Sequence, residues 1–218
     1  MQREIDINEV SDGKLYKAND MVKCDTNDCE GCFECCRFVG DTIILDPYDI
    51  YNLCRATAKS FAQLLSEEKI ELHMVDGLML PNIKTGDESS ACGFLREDGR
   101  CGIHDYRPGF CRLFPLGRIY NENGFNYFLQ IHECPRVGRS KIKVKKWLGI
   151  PQLAEYEKFV LVWHDHLRDF SEEITHANPE DVAKLTVTFL KHYFEKPYDL
   201  EKPFYEQFYE RYEMLCHE

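Results

Sequence analysis

Cys29, Cys32, Cys35 and Cys36 form a C-x2-C-x2-C-C run, and Cys24 raises the local count to five thiols within thirteen residues. Two thiolates at C-x2-C spacing can chelate one ion while backbone N–H groups point at the sulfurs. That is why the spacing recurs in zinc and iron–sulfur sites. A hydrophobic core gains little from side chains this small, and cysteines used that way are scattered small hydrophobes. The run points to metal.

A second group follows at wider intervals: Cys92, Cys101, Cys111 and Cys134. The whole chain holds 11 cysteines in 218 residues. An odd count, the adjacent pair Cys35-Cys36, and a start (Met1-Gln2-Arg3-Glu4-Ile5-Asp6) without the apolar stretch of a signal peptide argue against a disulfide framework. The expected setting is a reducing cytoplasm, where such a count means metal ligands.

The most specific segment is Cys101-Gly102-Ile103-His104-Asp105-Tyr106-Arg107-Pro108-Gly109-Phe110-Cys111-Arg112-Leu113-Phe114-Pro115. With the first cluster, Cys92 and Cys134, it resembles the CxxCxxCC cysteine-cluster family, often called YkgJ-like and described as zinc- or iron-chelating. The likeness spans residues 29–135, and the segments on either side inherit nothing from it. It implies metal chelation more firmly than any reaction. The motif region also resembles that of flagellin lysine methylase, a longer enzyme associated with an iron–sulfur cluster. A methyltransferase-like activity is therefore one alternative, although no glycine-rich loop after a strand offers a cradle for S-adenosylmethionine.

Eight cysteines make two sets of four. Adjacent Cys35 and Cys36 project differently and would more easily serve two sites than one. Cys29, Cys32 and Cys35 repeat the C-x2-C-x2-C run of a bacterial ferredoxin, which a remote Cys-Pro completes, and Cys134-Pro135 fits. That set is expected to hold an iron–sulfur cluster, 4Fe–4S favoured. Cys36, Cys92, Cys101 and Cys111 remain for a second ion, most simply tetrahedral zinc. Four thiolates leave about −2 of charge at a centre. Arg37, Arg100, Arg107 and Arg112 could offset it, with Arg107 and Arg112 the better placed because they flank Cys111. His104 is expected to be a hydrogen-bonding neighbour rather than a ligand, and Cys24 a spare thiol. Cys54 reads as core; His164, His166 and Cys216-His217 read as incidental surface residues. Sequences for other chemistries (P-loop, G-x-S-x-G, H-E-x-x-H, C-x3-C-x2-C) are absent.

The elements that must position these residues are short. Residues 1–23 suggest a hairpin turning at Ser11-Asp12-Gly13, and residues 24–36 are too punctuated for regular structure. Thr42–Leu45 predicts a buried strand, Asp46-Pro47 a capped helix start, and Ser60 with Gln63 a capping box. Asp76-Gly77 turns a hairpin from Ile70–Val75 into Leu78–Ile83, and residues 84–91 read as polar loop. A second hairpin runs from Gly117 through a turn at Asn123-Gly124 to Ile131. After Gly149 the chain becomes helical: an apolar stripe from Leu153 to Phe170, a helix opened by Asn178-Pro179, and an aromatic helix over 203–216.

The expected fold is α+β: an N-terminal segment (1–23), a cysteine-rich metal module of short strands and helices (24–146), and a helical C-terminal part (147–218) packed on it. The formal net charge of −11 excludes generalised nucleic-acid binding. No apolar run approaches the ~20 residues of a membrane span. Residues 136–146 run against this balance, with Arg136, Arg139, Lys141, Lys143, Lys145 and Lys146 and no acid. They read as an edge strand blunted by lysines, or as a docking patch for an acidic protein partner or phosphate. The function expected is iron–sulfur binding with a redox or electron-transfer role; a structural zinc module for interactions is the alternative.

Overall fold

Short-range chemistry sets most of the element boundaries. The structure, a computed structural model, describes residues 6–27, 29, 32–37, 42–86 and 91–216. Ile5, residues 87–90 of the polar loop and His217 lie outside them. Helix α1 (Ile7–Val10) is capped by Asp6, and strand β1 (Met21–Asp25) follows. The hairpin expected over 1–23 is replaced: Ser11 bridges Gln130 and Tyr16 bridges Tyr127, so this segment pairs with distant chain. Regular structure also enters the first cysteine run, with Cys24 in β1 and a 3-10 turn over Glu34–Cys36.

The predicted helix start at Asp46-Pro47 and the predicted capping box at Ser60 both form. Asp46 and Asp49 cap α2 (Pro47–Thr57), and Ser60 and Gln63 cap α3 (Phe61–Ser66). Thr42–Leu45 makes a single bridge, Ile44 to Asn82, rather than a strand. β2 (Ile70–Val75) and β3 (Leu78–Ile83) form the first hairpin, with Asp76 (φ 49°) and Gly77 (φ 84°) at its turn. α4 (Gly109–Leu113) precedes the second hairpin, β4 (Leu116–Asn121) and β5 (Gly124–Leu129). Asn121 pairs with Gly124, so the turn residues are Glu122-Asn123, one place earlier than expected.

Strand β6 (Ser140–Lys143) pairs antiparallel with β1, Val22 facing Ile142. The expected alternation stops at Lys143, where α5 (Val144–Leu148) begins. Val144 and Leu148, four apart, are both fully buried, and a helix puts them on one face. Among the described residues the sheets are thus three two-stranded antiparallel pairs.

The C-terminal part is α6 (Leu153–His176), α7 (Pro179–Leu190) continued by a π turn over Lys191–Glu195, and α8 (Phe204–Cys216). The stripe of α6 buries Tyr156, Val160, Trp163 and Phe170. Phe159 meets Phe208 edge-on at 4.7 Å and Phe204 at 5.3 Å. Such ring pairs add about 0.5–1.5 kcal/mol each beyond area burial. Arg211, 5% exposed, donates to the carbonyl oxygens of His192, Lys196 and Pro197 and closes the end of the π turn. His166 is not a surface residue, as its sequence position suggested. It is 7% exposed, 3.0 Å from the Tyr193 hydroxyl and stacked on Phe189. One buried cluster runs from Val22, Leu45 and Ile70 through Leu116 to Phe159, Phe189 and Phe208. The architecture is α+β with a helical C-terminal part.

Candidate metal centre

Four separate loops deliver the thiols. Cys29 takes a left-handed conformation (φ 57°), and its carbonyl accepts from the Cys32 N–H at 2.9 Å. The hydroxyl of Thr26 lies 3.3 Å from Cys29 Sγ. The 3-10 turn then presents Cys35 and Cys36 in succession. The Cys36 carbonyl accepts from the Cys92 N–H at 2.8 Å, which ties the first cysteine run to the second group.

Cys92 and Cys101 sit on a miniature loop. Phe94 N–H lies 3.5 Å from Cys92 Sγ, and Leu95 N–H donates to the Cys92 carbonyl at 2.9 Å. Leu95 bridges Cys101, and Gly99 (φ 76°) makes the turn between them. A Cβ at Gly99 would come within 2.7 Å of the Phe33 ring, so glycine also lets the two cysteine loops approach.

Cys111 rides on α4, and the start of that helix is locked. Gly109 N–H donates to Asp49 Oδ1 at 2.8 Å, and a Cβ on Gly109 would collide with the Tyr156 hydroxyl. Asp49 itself is the N3 residue of the α2 capping box and 3% exposed. Tyr156 accepts from Arg118 Nη2 at 3.1 Å. One buried polar group from each of α2 and α6 thus fixes the loop that carries Cys111. Sequence reading left Gly109 and Asp49 out of the site; the only signal was the glycine beside the proline of the Arg-Pro-Gly-Phe-Cys segment.

Cys29, Cys32, Cys35, Cys36, Cys92, Cys101 and Cys111 all line one cavity of about 990 Å³. A second, of about 20 Å³, is lined by Cys29, Cys32, Cys35 and Cys134, with Trp147 shared between the two. Cys24, Cys29, Cys32, Cys35, Cys36, Cys54, Cys92, Cys101, Cys111 and Cys134 are free thiols. Among the described residues, no three His, Cys, Asp or Glu side chains are drawn in to the spacing of a metal's ligand shell; the thiols line a cavity rather than close on a point.

Burial pushes the thiols of Cys29, Cys92, Cys101 and Cys111 up from their ordinary value, and further thiolates nearby add to the shift. Cys36 is raised chiefly by its hydrogen bond to Cys35, which lowers Cys35 to about 7. The guanidinium of Arg107 acts the other way, favouring the thiolates of Cys29, Cys35 and Cys101. It also lies 2.8 Å from His104 Nε2, a neighbour on the 3-10 turn His104–Tyr106. Arg112 is placed differently. It donates to the carbonyl oxygens of Arg107 (3.1 Å), Gly149 (3.2 Å), Leu148 and Asp105, joining the motif segment to the end of α5. Cys24 is fully buried on β1 and pushed up to about 12, chiefly by burial. Cys54 packs against the core from α2.

Burial and mutual repulsion disfavour the thiolates of Cys29, Cys36, Cys92, Cys101 and Cys111. A soft metal ion reverses that balance, since binding deprotonates its ligands. Seven thiols, with backbone N–H groups and with Arg37, Arg96, Arg100 and Arg107 lining the same cavity, make a donor set that suits zinc or iron. Among the described residues no helix is long and apolar enough to cross a membrane. No curated protein and no solved structure matches the chain. Residues 28–135 match the family described as "CxxCxxCC: Putative zinc- or iron-chelating domain", and the chain belongs to that family of metal-binding cysteine-cluster proteins.

Proposed function

We propose that residues 24–146 form a metal module in which Cys29, Cys32, Cys35 and Cys134 hold an iron–sulfur cluster, while Cys36, Cys92, Cys101 and Cys111 hold a second ion, most simply zinc. The module works in electron transfer or redox sensing, and a protein partner reaches it through the basic segment 136–146. The helical part, 147–218, packs on the module as its support.

One observation favours the division: Cys134 shares the smaller cavity with Cys29, Cys32 and Cys35, whereas Cys36, Cys92, Cys101 and Cys111 line only the larger one. Cys35 and Cys36, adjacent in sequence, then serve different centres. Arg107 offsets thiolate charge at both, through Cys29 and Cys35 on one side and Cys101 on the other. Arg112 contributes one step away by fixing the segment that bears Cys111. An iron–sulfur cluster supplies a one-electron couple whose potential follows net charge, solvent exposure and hydrogen bonds to sulfur. This chain's residues set all three.

The division is tested by Cys29→Ala and Cys111→Ala, each purified anaerobically with iron, sulfide and zinc counted. Iron and sulfide are expected to vanish from C29A, with the second ion lost from C111A. Loss of the same single species from both variants would contradict the two-centre reading.

A further inference from the structure

Four lysines elsewhere on this chain are matched by acids. Lys59 pairs with Glu67, Lys84 with Glu68 at 2.8 Å, Lys184 with Glu180 at 3.2 Å and Lys202 with Asp199 at 3.4 Å. The β1–β6 ribbon differs. Lys23, Lys141 and Lys143 are exposed on it, and Lys145 and Lys146 are exposed where the ribbon runs into α5. None of the five has an ion-pair partner among the described residues. In a chain of net charge −11 this is a local reversal of sign.

The ribbon also adjoins the thiols. Its inner side carries fully buried Val22 and Cys24, with Cys134 and Cys29 close to Cys24. Arg136, just before β6, lines the smaller cavity with Cys134, and Trp147 of α5 lines both cavities. The lysines therefore form the outer side of the wall that bears part of the candidate metal centre.

We propose that this lysine face docks an acidic protein surface beside the metal module; the proposal rests on the partner reading given above and adds its chemistry and its footprint, Lys23 included. An extended polyanion is a poor fit. Duplex DNA or an anionic bilayer would bring like charge against the rest of an acidic molecule, within a Debye length of about 8 Å at physiological salt. A compact acidic protein need touch only the reversed patch. Two strands of five and four residues make a contact well below the roughly 800 Å² per partner of a stable complex. Such a contact is transient and steered by charge, showing in association rate and salt dependence.

The test uses the full chain as purified and a fluorescent peptide of Glu, Asp and Ser standing in for an acidic protein surface, read by anisotropy. Binding is expected at low salt, weakening by about tenfold on moving to physiological ionic strength. The triple variant K141E/K143E/K145E is expected to bind at least about tenfold more weakly, and K184E/K202E as the parent does. K23Q/K141Q, a milder change on exposed side chains, serves if the triple variant misfolds, and a several-fold loss is expected there. Absence of binding, equal binding by the ribbon variants, or tighter binding of a DNA duplex or phosphatidylserine vesicles would overturn the proposal. Metal content measured on the same samples reports separately on the metal module.

Discussion

Gly109 is the residue on which the placement of Cys111 turns. It has no Cβ because the Tyr156 hydroxyl occupies that space, and its N–H has a buried carboxylate to meet in Asp49. Gly109→Ala is expected to cost roughly 1–3 kcal/mol, the range for overpacking a filled site, read as a lowered urea midpoint. Adding Tyr156→Phe should recover part of that loss, because the nearest remaining atom is then the ring carbon at 3.3 Å. A G109A protein as stable as the parent would show that the lock is not there. Arg107 invites a different test. It favours three thiolates at once, so Arg107→Gln should weaken metal binding by roughly 10–100-fold in competition with a chelator, the usual effect of removing a ligand's supporting contact. Unchanged affinity would remove Arg107 from the site. Cysteine spacing made the thiols legible in sequence, but no spacing says where a guanidinium points. Arg107 and Arg112 both flank Cys111; one faces the thiols while the other binds carbonyl oxygens of its own loop and of α5.

At the scale of elements, boundaries were legible where the deciding chemistry is local. Asp46-Pro47, Ser60 with Gln63, and Asp76-Gly77 each act within four residues, and each sits where its sequence placed it. Boundaries decided by distant chain were not. Thr42–Leu45 has strand composition but meets β3 only at one bridge, and Val144 leaves the strand because Leu148 must be buried beside it. His166 was misjudged for the same reason: α7 and α8 cover it. Burial lowers its imidazole from 6.5 to about 4. Between those values the unfolded chain holds the extra proton and the folded chain does not, so stability is fully present above pH 6.5 and declines as the pH falls towards 4. The shift corresponds to about 3 kcal/mol. His166→Phe should show a shallower fall in melting stability over that window than the parent. Parallel profiles would mean that His166 does not titrate there.

For the whole molecule, two kinds of order share one structure. The helices are held by aromatic burial, with Phe159, Phe189 and Phe208 fully buried, whereas the cysteine loops are joined by scattered backbone hydrogen bonds between short turns. Metal binding should therefore matter unevenly. Chelation is expected to raise amide exchange in residues 24–37 and 91–135 while leaving the core of α6 and α8 protected; uniform loosening would mean that the loops need no metal. The α+β class and the family were readable from the chain, because periodic apolar stripes and cysteine spacing survive without coordinates. The identity of the metal is not written in spacing alone, since thiolate quartets serve both zinc and iron–sulfur centres. Elemental analysis and the visible spectrum of the unmodified chain, purified without oxygen, address this most directly. The account expects a brown protein with iron and acid-labile sulfide in equal amounts, together with a second bound ion. A colourless protein holding only zinc would contradict the iron–sulfur centre, and one holding no stoichiometric metal would contradict the convergence of thiols on any centre at all.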